Sequence, residues 1–362
     1  PQDLHHLSSS TRQQMRGSAV VLGLLTLATL SSSALVRPDP KEHQSSEGSR
    51  GNQTRTGLPE LRIIGGQSIN DDSKYPWMSW SDGSFPRCGL AVIHKRWVLT
   101  ASHCVLNKWE TGFVAPSSGQ RIHFHCTNTG SRSCIDRHPV MIKPHPCFDP
   151  CCDVHDIALI KVNQDMPPPY APIDGLNENI EKDIEEITMM GWGSTCGSGG
   201  CVPHQLQHLT VKTTTDQVCK DKNPTRNGIN EGYCGKAGKC PNLFTDGSVF
   251  CSGGEQGKDS CNGDSGAPVI WTDPDNPDRV VVAGVVILGS EIPTDDGKCG
   301  AAGRVSVLTK VRDYAYWINQ TIETDGNAAI NCENVFVDNS NQNTVSGAQP
   351  LSPSIALLIG TL

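Results

Sequence analysis

Apolar residues along this chain fall into short runs, which is typical of β-strands. Residues 75–80 and 88–93 read as neighbouring strands joined by a turn over 81–84. Residues 97–100 and 156–162 are further apolar runs, and alternation predicts a strand over 205–211. Residues 311–322 instead repeat apolar side chains at helical spacing, which predicts a helix packed on the core.

The two ends of the chain have a different composition from its middle. An apolar run over 19–30 follows Met15 and Arg16, and small residues follow at 32–34, as in a secretory signal peptide. The alternative is a membrane anchor, but the run is short for a bilayer. We expect the biological start at Met15. Residues 35–62 are polar and lack cysteine, so they are not expected to fold alone.

Charge and cysteine content narrow the class of protein. The net charge is -8 and there is no basic run, which argues against a nucleic-acid partner. The 16 cysteines indicate a disulfide framework formed in an oxidising compartment. A metal cluster is the alternative, but no pair of Cys-x-x-Cys motifs occurs at zinc spacing. We therefore expect neither a metal nor a cofactor.

The residues with the clearest chemical potential are Gly263-Asp264-Ser265-Gly266. A serine between glycines can occupy a tight loop with its hydroxyl exposed. In that setting Ser265 would attack a carbonyl, and the N–H groups of Gly263 and Ser265 would hold the oxyanion. Taken alone, the motif is equally compatible with an ordinary turn.

Two upstream motifs decide between these interpretations. His103 ends an apolar strand in Trp97-Val98-Leu99-Thr100-Ala101-Ser102-His103-Cys104, and Asp156 opens Asp156-Ile157-Ala158-Leu159-Ile160. With these three motifs in this order, residues 63–322 resemble the trypsin/chymotrypsin family of serine endopeptidases. The resemblance implies an all-β fold of two six-stranded antiparallel β-barrels with a C-terminal helix.

The resemblance also implies roles for individual residues. His103, Asp156 and Ser265 form the catalytic triad, with Asp156 fixing the tautomer of His103. Cleavage after Arg62 frees the amino group of Ile63, which pairs with the buried carboxylate of Asp264. The implied disulfides are Cys88–Cys104, Cys219–Cys251 and Cys261–Cys299.

The resemblance places the primary specificity pocket around Asp259. A carboxylate on the floor of this pocket selects Arg or Lys at the substrate position before the cleaved bond, called P1; the alternative is a solvated loop acid. The wall is Ile287, Leu288 and Gly289, where the family usually has Ser-Trp-Gly. Two further departures are Ala267, in place of a second glycine, and Ser306, in place of a pocket glycine unless a gap puts Gly303 there.

Many cysteines lie outside the family's usual set. Within the long segment 107–153 we expect disulfide-linked loops, although His123, His125 and His145 beside Cys126 and Cys147 leave metal ligation as an alternative. Cys196 is expected to pair with Cys201, Cys234 with Cys240, and Cys332 with Cys151 or Cys152. The pairing of these cysteines and of Cys134 is not fixed by the sequence.

The expected organisation has four segments. Residues 1–34 are leader and signal peptide, 35–62 the activation propeptide, 63–322 the protease domain, and 323–362 a polar tail with an apolar end. That end weakly resembles a lipid-anchor signal, and a plain tail is the preferred alternative. Asn52 and Asn319 lie in glycosylation sequons.

We therefore predict a secreted, monomeric zymogen that becomes a serine endopeptidase cleaving after Arg or Lys. Its partners would be protein or peptide substrates, protein inhibitors, and an activating protease unless it activates itself. One alternative is chymotrypsin-like or mixed specificity, indicated by the altered pocket wall. The other is a non-catalytic homologue that serves as a binding module, although such proteins usually lack a triad residue.

Overall fold

Two antiparallel sheets of seven strands each form the body of the computed structural model. The structure describes residues 63–83, 87–107, 112–150, 152–180, 184–196, 201–223, 243–244, 247–290, 299–328 and 332. All of them belong to one unit, residues 57–362. No described helix is long and apolar enough to cross a membrane.

The strands are short, as the runs of apolar residues predict. They are β1 (Gln67–Ser68), β2 (Met78–Gly83), β3 (Gly89–His94), β4 (Trp97–Thr100), β5 (Leu106–Asn107), β6 (Gly112–Phe113), β7 (Gln120–Phe124), β8 (Ile135–Arg137), β9 (Pro139–Pro144), β10 (Ala158–Val162), β11 (Glu186–Gly191), β12 (Gln207–Lys212), β13 (Val249–Gly253), β14 (Pro268–Asp273), β15 (Asn276–Gly289) and β16 (Val305–Lys310). The helices are α1 (Asp216–Lys222) and α2 (Ala315–Glu323), with 3-10 turns at Ser102–Val105 and Val311–Tyr314.

The first sheet has the order β8-β7-β2-β3-β4-β10-β9 and the second has the order β1-β12-β11-β14-β15-β16-β13. The predicted all-β class with two antiparallel β units and a C-terminal helix is confirmed. Each sheet has seven strands rather than six. Short edge strands account for the larger number: β8 extends the first sheet beyond β7, and β1 extends the second beyond β12.

The predicted turn over 81–84 is wrong in its bounds. Strand β2 continues to Gly83 because Ser81 and Asp82 pair with Ile122 and Arg121 of β7. The strand also begins at Met78 rather than at residue 75. Pairing with a distant strand therefore overrides the local turn signal, as tertiary contacts often do.

The disulfides tie the strands and loops together. The described bonds are Cys88–Cys104, Cys126–Cys134, Cys147–Cys332, Cys196–Cys201, Cys219–Cys251 and Cys261–Cys299. Cys152 is also disulfide-bonded, whereas Cys151, Cys234 and Cys240 lie outside the described residues.

The expected pairing of Cys332 with Cys151 or Cys152 is wrong, since Cys332 bonds to Cys147. The path of the chain after α2 explains the difference. Asp325 pairs with Lys161, and Gly326 lies so close to Met141 that a Cβ atom on it would be 2.3 Å from the sulfur. The chain therefore runs along β9, and Cys147 follows the end of that strand.

Val98 tests how strongly the first sheet depends on its core. It is fully buried on β4, between Val92 of β3 and Ile160 of β10. We expect Val98→Ala to lower the free energy of unfolding by about 2 kcal/mol, from lost burial and the cavity left behind. Denaturant unfolding measures this. The same change at Val140, which is 48% exposed, is the control and should have almost no effect; equal losses would contradict the assignment of this core.

Candidate active site

His103 and Asp156 are in direct contact. The Nδ1 atom of His103 lies 2.6 Å from Oδ2 of Asp156, and the His103 backbone N–H donates to Oδ1 at 2.9 Å. The Asp156 side chain is 1% exposed, whereas that of His103 is 28% exposed. This geometry fixes the imidazole by two bonds to one carboxylate, so Nδ1 carries the proton and Nε2 is left as the basic nitrogen.

Pairing of β4 with β10 brings these two residues together. Ala158, the first residue of β10, pairs with Thr100, the last residue of β4. Asp156, two residues before β10, and the turn after β4 that carries His103 therefore lie at the same end of this strand pair. Ser102 strengthens the junction by donating its hydroxyl to the Ile157 carbonyl at 2.6 Å. The Cys88–Cys104 bond holds the turn that carries His103 against β3.

The Ser265 loop has the backbone conformation that its glycines allow. Gly263 has φ 100° and Gly266 has φ 76°, values that residues with a Cβ atom rarely adopt. A Cβ atom on Gly266 would lie 2.2 Å from Oγ1 of Thr100. The Ser265 carbonyl accepts from the N–H of Gly89 at 2.9 Å, so the loop is joined to the first sheet beside Cys88.

The N–H groups of Gly263 and Ser265 are available to a ligand. Across the described parts of the chain, neither donates a hydrogen bond. Ser265 itself is partly exposed. Two free donors on one tight loop beside a serine hydroxyl form the arrangement that stabilises a developing oxyanion.

Asp264 lies beneath this loop and is 1% exposed. Its carboxylate accepts from the N–H groups of Gly193 at 2.8 Å and Cys261 at 2.9 Å. Gly191 and Gly193 leave the space for it, since a Cβ atom on either would come within 2.4 Å of the carboxyl group. Burial raises the pKa of Asp264 to about 7, although the two N–H donors favour its charged form.

The segment expected to start the mature chain is packed into the second sheet. Ile63 is fully buried, and the Ile64 carbonyl accepts from the Asp259 N–H at 3.2 Å. Arg62 lies outside the described residues. Residues 63 and 64 therefore connect directly to the floor of the expected specificity pocket.

Asp259 is buried, which is inconsistent with a solvated loop acid. Its Oδ1 accepts from the hydroxyl of Ser306 at 3.0 Å, and its Oδ2 accepts from the N–H of Gly300 at 3.0 Å. Ser306 lies opposite Gly289 in the pairing of β15 with β16. Ser306, rather than Gly303, therefore occupies the pocket position beside Asp259.

The pocket also contains Arg304, which the sequence analysis missed. Its Nε donates to Oδ2 of Asp259 at 2.7 Å. Burial raises the pKa of Asp259, opposed by the Gly300 N–H, Arg304 and Ser306. The signal that could have found Arg304 is strand alternation, because residues two apart face the same side and Ser306 was already assigned to the pocket.

The wall residues show how the altered sequence is accommodated. Ile287 is 4% exposed and lies at a register shift between Val286 and Leu288 in the pairing of β15 with β16. Ile287 has no hydroxyl that could donate to Asp156. The carboxylate oxygens of Asp156 accept from the backbone N–H and the ring Nδ1–H of His103. Leu288 and Gly289 are partly buried. Ala267 is fully buried and packs against Gly89, since a Cβ atom on Gly89 would lie 2.5 Å from the Cβ atom of Ala267.

The histidines proposed as alternative metal ligands have other contacts. His123 lies between two carboxylates, 2.6 Å from Asp136 and 3.0 Å from Asp82. His145 packs against Tyr314 and Trp317, and burial lowers its pKa to about 3. His125 packs edge-on against Phe124, and Cys126 and Cys147 are in disulfides.

Asn319 lies on α2 and is partly exposed, and Asn52 is outside the described residues. Among the described residues, Asn319 has no hydrogen bond to His103, Asp156 or the Ser265 loop.

Comparison with known proteins finds similar sequences over the described part of the chain. The family model described as Trypsin matches residues 63–318. The chain is 30% identical over 297 residues to serine protease ea of Drosophila melanogaster, covering 73% of this chain and 68% of that protein. It is 29% identical to the phenoloxidase-activating enzyme of Bombyx mori, covering 72% of this chain and 61% of that protein. It is 28% identical to cationic trypsin-3 of Rattus norvegicus, covering 72% of this chain and 90% of that protein.

Proposed function

Because the chain belongs to the trypsin family of serine proteases, we propose that it is an endopeptidase that uses His103, Asp156 and Ser265 as its catalytic triad. The observation that carries this proposal is the contact of His103 with the buried Asp156 carboxylate at 2.6 Å. Such a contact is what a histidine needs in order to act as a general base toward a neighbouring serine.

In the proposed reaction the Ser265 hydroxyl attacks the peptide carbonyl, and Nε2 of His103 takes its proton. The N–H groups of Gly263 and Ser265 hold the oxyanion, and Asp156 stabilises the imidazolium. His103 then gives the proton to the leaving amine, which departs and leaves an acyl-enzyme. Water attacks the acyl-enzyme, His103 takes a proton from that water and returns it to Ser265, and the second product leaves.

We propose activation by cleavage after Arg62. The buried Asp264 supports this step, because a carboxyl whose pKa is raised to about 7 by burial gains from a cationic partner. The new ammonium of Ile63 would supply that partner and order the Ser265 loop above it. An Arg-selective protease, or the enzyme itself, would make the cut.

Asp259 supports a preference for Arg or Lys at P1, since it places a buried carboxylate in the pocket. A second candidate is chymotrypsin-like or mixed specificity. It is favoured by the ion pair of Asp259 with Arg304 and by the apolar Ile287 and Leu288 of the wall.

We propose secretion and protein substrates as the biological setting. The disulfides of the structure suit an oxidising compartment. The name of the Bombyx mori relative, a phenoloxidase-activating enzyme, fits a role in proteolytic activation of another protein. Protein inhibitors that present a P1 side chain would be the other expected partners.

Cleavage-dependent activity tests the proposal. We expect the full chain to be inactive and the chain cut between Arg62 and Ile63 to hydrolyse P1-Arg amides and to react covalently with a fluorophosphonate at Ser265, as located by mass spectrometry. Ser265→Ala is the control for labelling, and a P1-Phe amide tests the second candidate. A correctly cut chain that neither hydrolyses these amides nor takes the label would contradict the proposed function and favour a binding module.

A further inference from the structure

The side chain of Arg304 extends into the space between the floor and the wall of the pocket. Its Nε contacts Asp259 at 2.7 Å, and Nη1 approaches the Ser290 carbonyl at 3.4 Å. A Cβ atom on Gly289 would lie 2.0 Å from Nη2, so the guanidinium lies directly against the glycine of the wall. A cationic side chain of the protein itself therefore fills the space beside Asp259.

The hydrogen bonds of Asp259 leave little for a second cation. Oδ1 accepts from Ser306, and Oδ2 accepts from both Gly300 and Arg304. The Asp259 side chain is 2% exposed and that of Arg304 18%. An incoming Arg or Lys side chain would meet like charge as well as occupied volume, in surroundings where charge interactions are weakly screened.

We propose that Arg304 is an internal competitor that occupies the primary pocket in the position of a substrate's P1 guanidinium. This inference rests on the proposed function, in which Asp259 selects Arg or Lys. A cationic P1 side chain then binds only after Arg304 has left Asp259, so the competition weakens ground-state and transition-state binding equally. Such a change raises KM without changing kcat.

The backbone around Arg304 supports a defined position for this side chain. Arg304 donates its N–H to the Ala301 carbonyl at 3.1 Å, and Gly303 before it has φ 76°. Val305, directly after it, is bonded to the Ser290 hydroxyl at 3.1 Å. These backbone bonds hold the turn that directs Arg304 toward Asp259.

Binding of p-aminobenzamidine, a fluorescent aromatic amidine, measures access to Asp259 without any reaction. The titration uses the chain cut between Arg62 and Ile63 and carrying Ser265→Ala, so it is independent of catalysis. We expect Arg304→Ala to tighten binding about 100-fold, which corresponds to a parent pocket that Arg304 leaves open in about 1% of molecules. Asp259→Asn combined with Arg304→Ala should abolish that gain.

Arg279→Ala is the matched control. Arg279 is also ion-paired, to Glu178 and Asp273, but it lies on β15 at the end away from Gly289. It should leave amidine affinity unchanged. If Arg304→Ala fails to fold, as judged by thermal unfolding, Arg304→Gln removes the charge with less loss of volume and should also tighten binding. Affinity that stays within about threefold of the parent in the folded variants would overturn the proposal.

Kinetics with Ser265 intact separate this inference from the proposed function. We expect Arg304→Ala to lower KM for a P1-Arg amide with kcat unchanged. KM for a P1-Phe amide should change much less, because a Phe side chain gains the vacated volume but no bond to Asp259. If no variant hydrolyses any amide while the amidine still binds more tightly to Arg304→Ala, the proposed function fails and the competitor role stands. If the parent hydrolyses P1-Arg amides and Arg304→Ala alters neither KM nor amidine binding, the competitor role fails and the proposed function stands.

Discussion

Ser265→Ala is expected to lower kcat of the cleaved chain by about 10⁶-fold, because the nucleophile and the general base act as one unit. In the proposed mechanism His103 acts through this serine, so adding His103→Ala to Ser265→Ala should lower kcat little further. The measurement is amide hydrolysis by both single variants and the double variant.

The non-additivity is the informative part of this experiment. A structural role for His103 would appear as a further loss in the double variant or as a lower melting temperature. Ser131→Ala is the control, since Ser131 is partly exposed between β7 and β8 and its hydroxyl contacts Ser133 at 2.7 Å, away from the pocket. Independent, multiplying losses at Ser265 and His103 would contradict the proposed unit.

Asp264→Asn is expected to lower kcat/KM of the cleaved chain by about 10³-fold. Asparagine retains the shape of Asp264 but cannot pair with the Ile63 ammonium, so the two N–H donors of the loop lose their order. The uncleaved chain should be equally inactive with either residue. Full activity of the cleaved Asp264→Asn variant would show that this ion pair does not control the loop.

The same residue should give the uncleaved chain a pH-dependent stability. The pKa of Asp264 rises from 3.8 to about 7 in the folded chain, so folding favours its protonated form. The contribution of Asp264 to the free energy of unfolding is greatest below about pH 4, where the carboxyl is protonated in both states. It falls as the pH rises to about 7 and is constant above that. The loss is about 4 kcal/mol at most.

Denaturant unfolding at pH 4 and pH 7 measures this change. Other groups also titrate over the interval, so the relevant quantity is the difference between the parent and Asp264→Asn, which has no carboxyl to ionise. After cleavage the Ile63 ammonium should lower the pKa of Asp264 and flatten the profile. Parallel profiles for the parent and Asp264→Asn would contradict a raised pKa for this group.

Local sequence patterns were sufficient to predict the strands that carry the site residues. The apolar run before His103 and the run after Asp156 are strands β4 and β10, and helical spacing located α2. Gly263 and Gly266 predicted a tight loop, and both have positive φ. In each case the backbone conformation depends mainly on nearby residues.

Contacts set by distant pairing were not predictable in this way. The ion pair of Arg304 with Asp259 depends on how β16 aligns with Gly289. Alternation with Ser306 indicates the side on which Arg304 lies, but it does not show that the guanidinium reaches Asp259. The extension of β2 to Gly83 depends on β7, and the partner of Cys332 depends on the path of the chain after α2. Predicting each of these contacts requires knowing how elements far apart in sequence align with one another.

The Cys147–Cys332 bond joins residues 185 positions apart. Any single proteolytic nick between those two cysteines leaves both pieces covalently attached, so a nicked molecule keeps its full mass in electrophoresis until a reductant is added. The cut after Arg62 differs, because residues 1–62 contain no cysteine and so have no disulfide to the remainder of the chain. Gels run with and without reductant therefore distinguish the cut after Arg62 from cuts between Cys147 and Cys332 in the same sample.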